Sequence, residues 1–422
     1  MSQGSRVSRL GLLKHRNFAA LWFAQAVSLL GDRFTQVATT VLAAKISGGS
    51  AFVFAFVWAA PLVPPILLSW AAGVLVDRWD KRKVMVTADI ARGLLILSLV
   101  FIRSPLGLFA VSFGVAVFTA FFYPALMGTV PRTVPERDLL AANSLTEATN
   151  SLLDIAGTAV AAMFVGLLGT GFAFTLDFLS YLVSAVAIAT ITVQTRPEPQ
   201  ALEAGFWSDL RDGIHYHREN RAVLDHLILI VALTLGIGIY NTLTPLTVGR
   251  MLHRPTSDWG WLMAAQSLMM TLSAAWMGRY GARYNRLGLL VGGFAAMTVP
   301  TVGLAYSTSF VLSLALFAWA GAANAVMLIA TMTWVQEIVA REMLGRVFSV
   351  RRMLGSVSVL VTTLLGGYYA DRVGLAPALI VSAAIFLGAA LLGLAMPSLR
   401  ASSLALAAPA VETAAAEGGS AG

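Results

Sequence analysis

The 422-residue chain has no cysteine. Disulfides, iron–sulfur clusters and thiolate zinc sites are therefore excluded. Charge is scarce too. Only 12% of residues are charged, about half the share usual in a soluble domain. Lysine is nearly missing, with 4 lysines among the 29 basic residues; this arginine bias reads as a GC-rich genome and says little about function. Two catalytic signatures, GxxxxGK[ST] and HExxH, do not occur, and GxSxG is met once, at Gly418–Gly422 in the Ala/Ser/Gly-rich end of the chain. Without GxxxxGK[ST], ATP is not the direct energy source by that route, and a GxSxG in a low-complexity stretch, without a strand before it and a helix after it, does not indicate an intramembrane hydrolase. The alternating ten-residue strands of a membrane β-barrel are absent as well.

What the chain does have is long apolar runs. Hydrophobic residues make up 58% of it, and many windows exceed the ~18 apolar residues that mark a membrane span. The expected fold is an all-α membrane protein with twelve transmembrane helices in two six-helix pseudo-symmetric halves. In the first half, 18–193, spans fall at about 18–44, 51–76, 84–102, 106–126, 139–168 and 172–193. In the second, 222–396, they fall at about 222–248, 259–280, 287–306, 310–336, 347–369 and 377–396. Pro61, Pro64 and Pro65 predict a kink in the second span, since proline frees carbonyls that neighbours must satisfy. Residues 1–17 are basic without a cleavage site after a short apolar core, so a retained N-terminal tail is expected, not a signal peptide. Residues 397–422 are rich in Ala, Ser, Gly and Glu and are expected to be disordered.

The net charge of +8 does not point to nucleic acid, because its distribution follows a membrane. With a cytoplasmic N-terminus, 22 basic residues fall on the cytoplasmic side and 5 on the other. That asymmetry predicts a multi-pass protein of the plasma membrane (a bacterial inner membrane) with both termini cytoplasmic. The polar stretch 194–221 is then a cytoplasmic linker. Apolar residues recur at helical spacing from Phe206 to Arg218, which predicts an amphipathic surface helix. His215 and His217 lie on different faces of it and have no nearby third ligand, so no metal site is expected.

One charge cluster stands out between the second and third spans: Gly73, three residues, Asp77-Arg78, then Asp80-Lys81-Arg82-Lys83. It resembles the signature loop of the major facilitator superfamily, with Asp80 where the family usually has a second glycine. Weaker echoes are Gly278 to Arg286, with Ala282 in place of the acid, and Gly367 to Arg372. Gly31-Asp32-Arg33 in span 1, Asn143-Ser144-Leu145, the Asp209-to-Arg218 helix and Gly345-Arg346-Val347-Phe348-Ser349 resemble the branch that holds enterobactin exporter-like and macrolide-efflux-like proteins. The chain departs from many proton antiporters of the superfamily in two places. Span 5 lacks the Gly-Pro-rich motif, carrying Gly157-Thr158-Ala-Val-Ala-Ala, and span 4 lacks an arginine. The resemblance implies a conformational latch, in which Asp77 lies against the N-terminus of span 11. Gly73 would permit close packing of the halves, and Arg78, Lys81 and Arg82 would pair with nearby acids.

Ionisable groups inside spans are functional candidates by default. Asp32, Asp154 and Glu147 are the expected proton-coupling residues, Asp32 foremost because span 1 lines the central cavity in the resembling fold. Arg33 cannot face Asp32, being the next residue and about 100° round the helix. Asp89 and Arg92, at i and i+3, are expected to pair structurally, and Asp177 to be interfacial. Gln25, Arg33, Asn241 and Asn324 are the expected cavity residues, although a lone polar group in a span more often joins helices than contacts a ligand. Trp22, Phe34, Trp319, Trp334, Met327 and Met332 could form a greasy pocket. The function expected is secondary active transport: proton-coupled efflux of an amphipathic organic molecule (a drug, macrolide-like compound or siderophore) by alternating access. The proton gradient supplies the energy, no cofactor is needed, and the transporter is expected to be a monomer in the bilayer. An importer or lysophospholipid flippase of the same fold is the alternative; an intramembrane enzyme is the alternative of another class.

Overall fold

The computed structural model describes residues 9–193 and 206–403. The expectations for 1–8, 194–205 and 404–422 lie outside them. Among the described residues the chain is helical, without strands. The helices are α1 (Arg16–Ile46), α2 (Ala51–Ala59), α3 (Val63–Arg78), α4 (Lys81–Ser98), α5 (Pro105–Thr129), α6 (Leu139–Leu152), α7 (Thr158–Ala189), α8 (Phe206–Glu219), α9 (Arg221–Arg250), α10 (Trp259–Tyr280), α11 (Arg286–Tyr306), α12 (Phe310–Ile338), α13 (Leu344–Val373) and α14 (Leu375–Ala395).

Local chemistry explains the boundaries. Ser50, Ser104, Asn285 and Ser309 each cap a helix, accepting from the backbone N–H three residues on, so an orphan donor of the first turn is satisfied. The second expected span is two helices, α2 and α3. A 3-10 turn over Ala60–Leu62 joins them where Pro61, Pro64 and Pro65 cannot donate. Glu136–Ala189 forms one long helical stretch with two irregularities. Leu153–Gly157 is a π turn, and Gly169, at φ +83°, breaks α7, a conformation that favours glycine.

Among the described residues, eight helical stretches are long and apolar enough to cross a membrane, Glu136–Ala189 counted as one. The expected twelve require a division at Gly169 and the addition of α1, α4 and α10. These three hold more polar groups; α4 alone carries Lys81, Arg82, Lys83, Asp89 and Arg92. The outer faces are apolar: Leu106, Leu140, Leu167 and Val311 are at least 68% exposed. Water would penalise each by up to ~1.5–3 kcal/mol, and hydrocarbon removes that penalty.

The chain forms two compact units. The first is 1–201 together with 248–264. In it α1 packs along α7, α7 against α4, and α4 against α5. The hairpin between α9 and α10 belongs here: Arg250 donates to the Gly49 carbonyl at 2.7 Å, and Trp259 meets Trp58 edge-on at 5.7 Å. The second unit is 202–247 with 265–422, in which α11 packs on α14 and α12. Two corrections follow. Residues 397–403, expected to be disordered, are helical. Leu399 is fully buried there, Ser398 donates to Asp225, and Trp334 donates to Ser402 at 3.2 Å. Asp177, expected at an interface, is fully buried.

Candidate functional site

The interior of the first unit holds a chain of buried polar groups across α1, α4 and α7. Asp32 accepts a hydrogen bond from Tyr181 Oη at 2.6 Å. The ring of Tyr181 lies under the Arg92 guanidinium, 4.6 Å from its centroid, and Phe122 contributes a second ring at 4.2 Å. Arg92 pairs with Asp89, which also accepts from Ser184 Oγ at 2.6 Å. Asp177 accepts from Thr35 and from Ser180, the latter at 2.9 Å. Gly31 lets α1 approach α7 here; a methyl group at that position would land on Asp177 Oδ1 and Ser180 Oγ. Charged groups survive in such a place only when paired and hydrogen-bonded.

A second pair lies beside it. Arg33 Nη2 is 2.7 Å from Asp154 Oδ1, with Gln36 accepting from the same guanidinium at 3.1 Å. Asp154 sits in the π turn, a distortion frequent at functional sites. Asp32 and Arg33 thus serve different partners, as their angular separation requires. Glu147 is exposed on α6 and makes no ion pair among the described residues. Gln25 is half-buried, and its Nε2 has no hydrogen-bond partner among the described residues.

Sequence reasoning treated the Asp89–Arg92 pair as purely structural. The structure joins it through Tyr181 to Asp32. Tyr181, Ser184, Ser180 and Thr35 were not singled out, yet a signal existed. Asp177, Ser180, Tyr181 and Ser184 follow i, i+3, i+4, i+7 spacing in an apolar helix, which is one face.

The loop after α3 has its own geometry. Asp77 pairs with Lys81 at 3.2 Å; the aspartate side chain is 75% exposed and the lysine 6%. The stem of Lys81 runs across Gly128. Arg82 donates to the Ile191 carbonyl at 2.9 Å. Asp80 caps α4, accepting from the backbone of Arg82 and Lys83 at 3.0 and 3.3 Å. A Cβ added at Gly73 would meet no described atom within 4 Å. Arg78 is exposed.

In the second unit Asn241 is exposed and Asn324 half-buried. Trp334 is fully buried, its ring edge-on to His226 at 5.6 Å, and Met327 is buried too. Neither is therefore part of an open pocket, while Trp319 and Met332 are exposed. The linker helix α8 packs on α13. Asp212 pairs with Arg346 at 3.3 Å, and Tyr216 Oη accepts from the Ala340 backbone at 3.3 Å. His217 is buried and bonded to the Gly213 carbonyl at 2.7 Å; burial holds its imidazole below the usual histidine range. His215 faces Glu219 at 3.0 Å instead. No cluster of metal-ligating side chains occurs among the described residues.

A family model described as "Transmembrane secretion effector" matches residues 7–416. The chain belongs to this family of major facilitator transporters. It is therefore a membrane-spanning transporter and not an enzyme. Macrolide efflux protein A of Streptococcus pyogenes is 24% identical over 386 residues, which cover 88% of this chain and 93% of that one. Among solved structures, the nucleoside transporter NupG (D323A mutant) superposes with a TM-score of 0.78 at 12% identity, covering 90% of this chain and all (100%) of that one. A bacterial homologue of the lysosomal transporter Spinster, inward-facing and unoccupied, gives 0.73 at 12% identity, covering 93% and 98%. At that identity the structures share the facilitator fold with this transporter and nothing finer. In the facilitator loop pattern, Asp80 replaces a glycine and supplies a helix cap.

Proposed function

We propose that this facilitator exports an amphipathic organic molecule, of macrolide or similar size, by alternating access coupled to proton entry. Twelve spans in two six-helix halves, with both termini and the linker cytoplasmic, are the frame of this reading. The observation that carries it is the buried chain in the first unit. Three carboxylates, Asp32, Asp89 and Asp177, share this interior with one guanidinium, Arg92. Asp89 is taken by Arg92, which leaves Asp32 and Asp177 held by hydroxyl groups alone. A carboxylate without a cation in hydrocarbon is costly, and a proton relieves that cost. Asp32 is the half-buried one of the two, so it is the group that exchanges protons, and Arg33–Asp154 beside it responds to its charge. The efflux function of a relative covering most of both chains supports export over import.

The test uses purified transporter in proteoliposomes, with a labelled macrolide and an imposed pH gradient. Asp32→Asn should fail to build a substrate gradient while downhill exchange continues. If the variant still concentrates substrate, Asp32 does not couple.

The Asp77 loop is the proposed latch of the cytoplasmic side. Asp77→Asn removes the acid that partners the buried Lys81. Transport should slow several-fold with insertion intact, and single cysteines placed in the cytoplasmic cavity should label faster, against a cysteine-free background. Unchanged labelling and transport would leave Asp77 a topology residue only.

A further inference from the structure

The second unit holds an apolar groove of about 750 Å³ between α10, α11 and α12. Small residues line it, among them Gly288, Gly292, Ala318 and Ala322. Its aromatic residues are Trp276 and Trp319, 41% and 50% exposed. At the end of α10, Trp276 continues into an aromatic cluster. Its ring centroid lies 6.1 Å from Tyr280 and 5.4 Å from Tyr284. Arg279 and Arg283 stand over the Tyr280 ring at 5.6 and 5.4 Å, and Arg279 Nε donates to Tyr280 Oη at 3.1 Å. Both arginines are exposed, and neither has an acidic partner among the described residues. The contrast is with Arg286, held by Glu337 through two bonds of 2.9 and 3.1 Å.

We propose that this groove seats one anionic phospholipid, with an acyl chain along the apolar wall and the phosphate on Arg279 and Arg283. The loop between α10 and α11 ends two spans, so its arginines sit at the depth of lipid headgroups. Guanidinium groups recognise phosphate oxygens by charge-assisted, two-pronged hydrogen bonds. Packing against Tyr280 pre-sets the position of both, which lowers the entropy lost on binding. A wall of glycine and alanine leaves a depression that a flexible chain fills and a branched side chain would close. A zwitterionic lipid brings its own ammonium to the same two cations and is repelled by them, so the site selects net negative charge. The loop is one in which Ala282 stands where the signature pattern has an acid, and that substitution is what leaves the arginines available.

Native mass spectrometry of the full-length protein in detergent tests this, with phosphatidylglycerol and phosphatidylcholine of identical acyl chains. One phosphatidylglycerol should be retained in clear preference to phosphatidylcholine. The R279Q/R283Q double variant should lower that retention by roughly 25-fold, taking each arginine as a typical contribution near an anionic headgroup. G292L fills the groove; a Cβ at Gly292 meets no described atom within 4 Å, so the backbone need not move. It should displace the lipid although both arginines remain. Equal retention of the two lipids in the native protein overturns the proposal, a result that needs no variant to fold. So does phosphatidylglycerol retention that either variant leaves unchanged, or inorganic phosphate held as firmly as the lipid, which would make the site an anion site without an acyl groove.

Discussion

Both units bring two long helices together at a glycine, with different chemistry opposite. In the first, α1 meets α7 at Gly31, which faces Asp177 and Ser180. In the second, α9 meets α14 at Gly236, which faces the ring of Phe386, and Ser382 donates to the Gly236 carbonyl at 2.8 Å. A few residues on, Thr242 and Thr363 share a hydrogen bond of 3.1 Å. At this contact the second unit packs its long helices with a phenyl ring and hydroxyl groups. Close approach in hydrocarbon requires small residues and satisfied polar atoms; it does not require carboxylates. The acids in the first unit are more than packing demands, and that surplus is the physical argument for a working role.

The largest expected effect breaks the first unit's chain at its one cation. Asp89→Ala leaves Arg92, itself buried, without its carboxylate. Removing one partner of a buried pair costs about 3–5 kcal/mol. The rings of Phe122 and Tyr181 offset part of this by cation–π attraction. Thermal unfolding in detergent should show a large loss of stability. The matching change in the second unit, Ser382→Ala, removes one hydroxyl and should cost about 1 kcal/mol. Equal losses would mean that the charged chain contributes no more to folding than a neutral contact does.

A smaller effect separates the two glycines. Gly31→Ala drives a methyl group into Ser180 and Asp177, and the Ser180 Cβ, 2.9 Å away, is fixed to the backbone. At Gly236 the nearest atoms are all in the Phe386 ring, which can tilt. Overpacking costs about 1–3 kcal/mol; Gly31→Ala should fall at the upper end and Gly236→Ala at the lower. The readout that matters is coupling. If Asp177 shares the proton-handling role, Gly31→Ala should reduce uphill transport more than downhill exchange, and Gly236→Ala should scale both alike.

Much of this was legible in the sequence, for reasons tied to particular residues. Span positions follow from hydropathy because hydrocarbon tolerates so little else. The prolines at 61, 64 and 65 marked the α2–α3 break, and the i, i+3 spacing marked the Asp89–Arg92 pair. Other contacts depend on which face of one helix meets another. Arg33 finds Asp154, and Asp32 finds Tyr181 149 positions away; single-helix periodicity holds no such information. Asp177 was misplaced because position along a helix was read without its face. The helix at 397–403 was misread because its composition matches a disordered tail, while one leucine and three serines dock it.

The smallest expected effect compares the two loops through their helix caps. Asp80 starts α4 and Asn285 starts α11, each accepting from backbone N–H groups of the first turn. The first turn of α4 consists of Lys81, Arg82 and Lys83 and holds no acid. Three cations there oppose the helix dipole, which favours negative charge at an N-terminus. Asp80 therefore combines capping with charge compensation, whereas Asn285 caps α11 without a charge and also accepts from Ser403 Oγ at 2.7 Å. Asp80→Asn separates capping from charge. Asparagine caps as well as aspartate, so any loss reports the charge alone, about 0.3–1 kcal/mol at low ionic strength. Asp80→Gly, the family's own residue, should add only a few tenths of a kcal/mol beyond that. The charge part should fade when the melt is repeated in high salt, and the cap part should not. A salt-independent loss for Asp80→Asn would show that the carboxylate makes a contact that an amide cannot replace, and the loop would then be more than a capped turn.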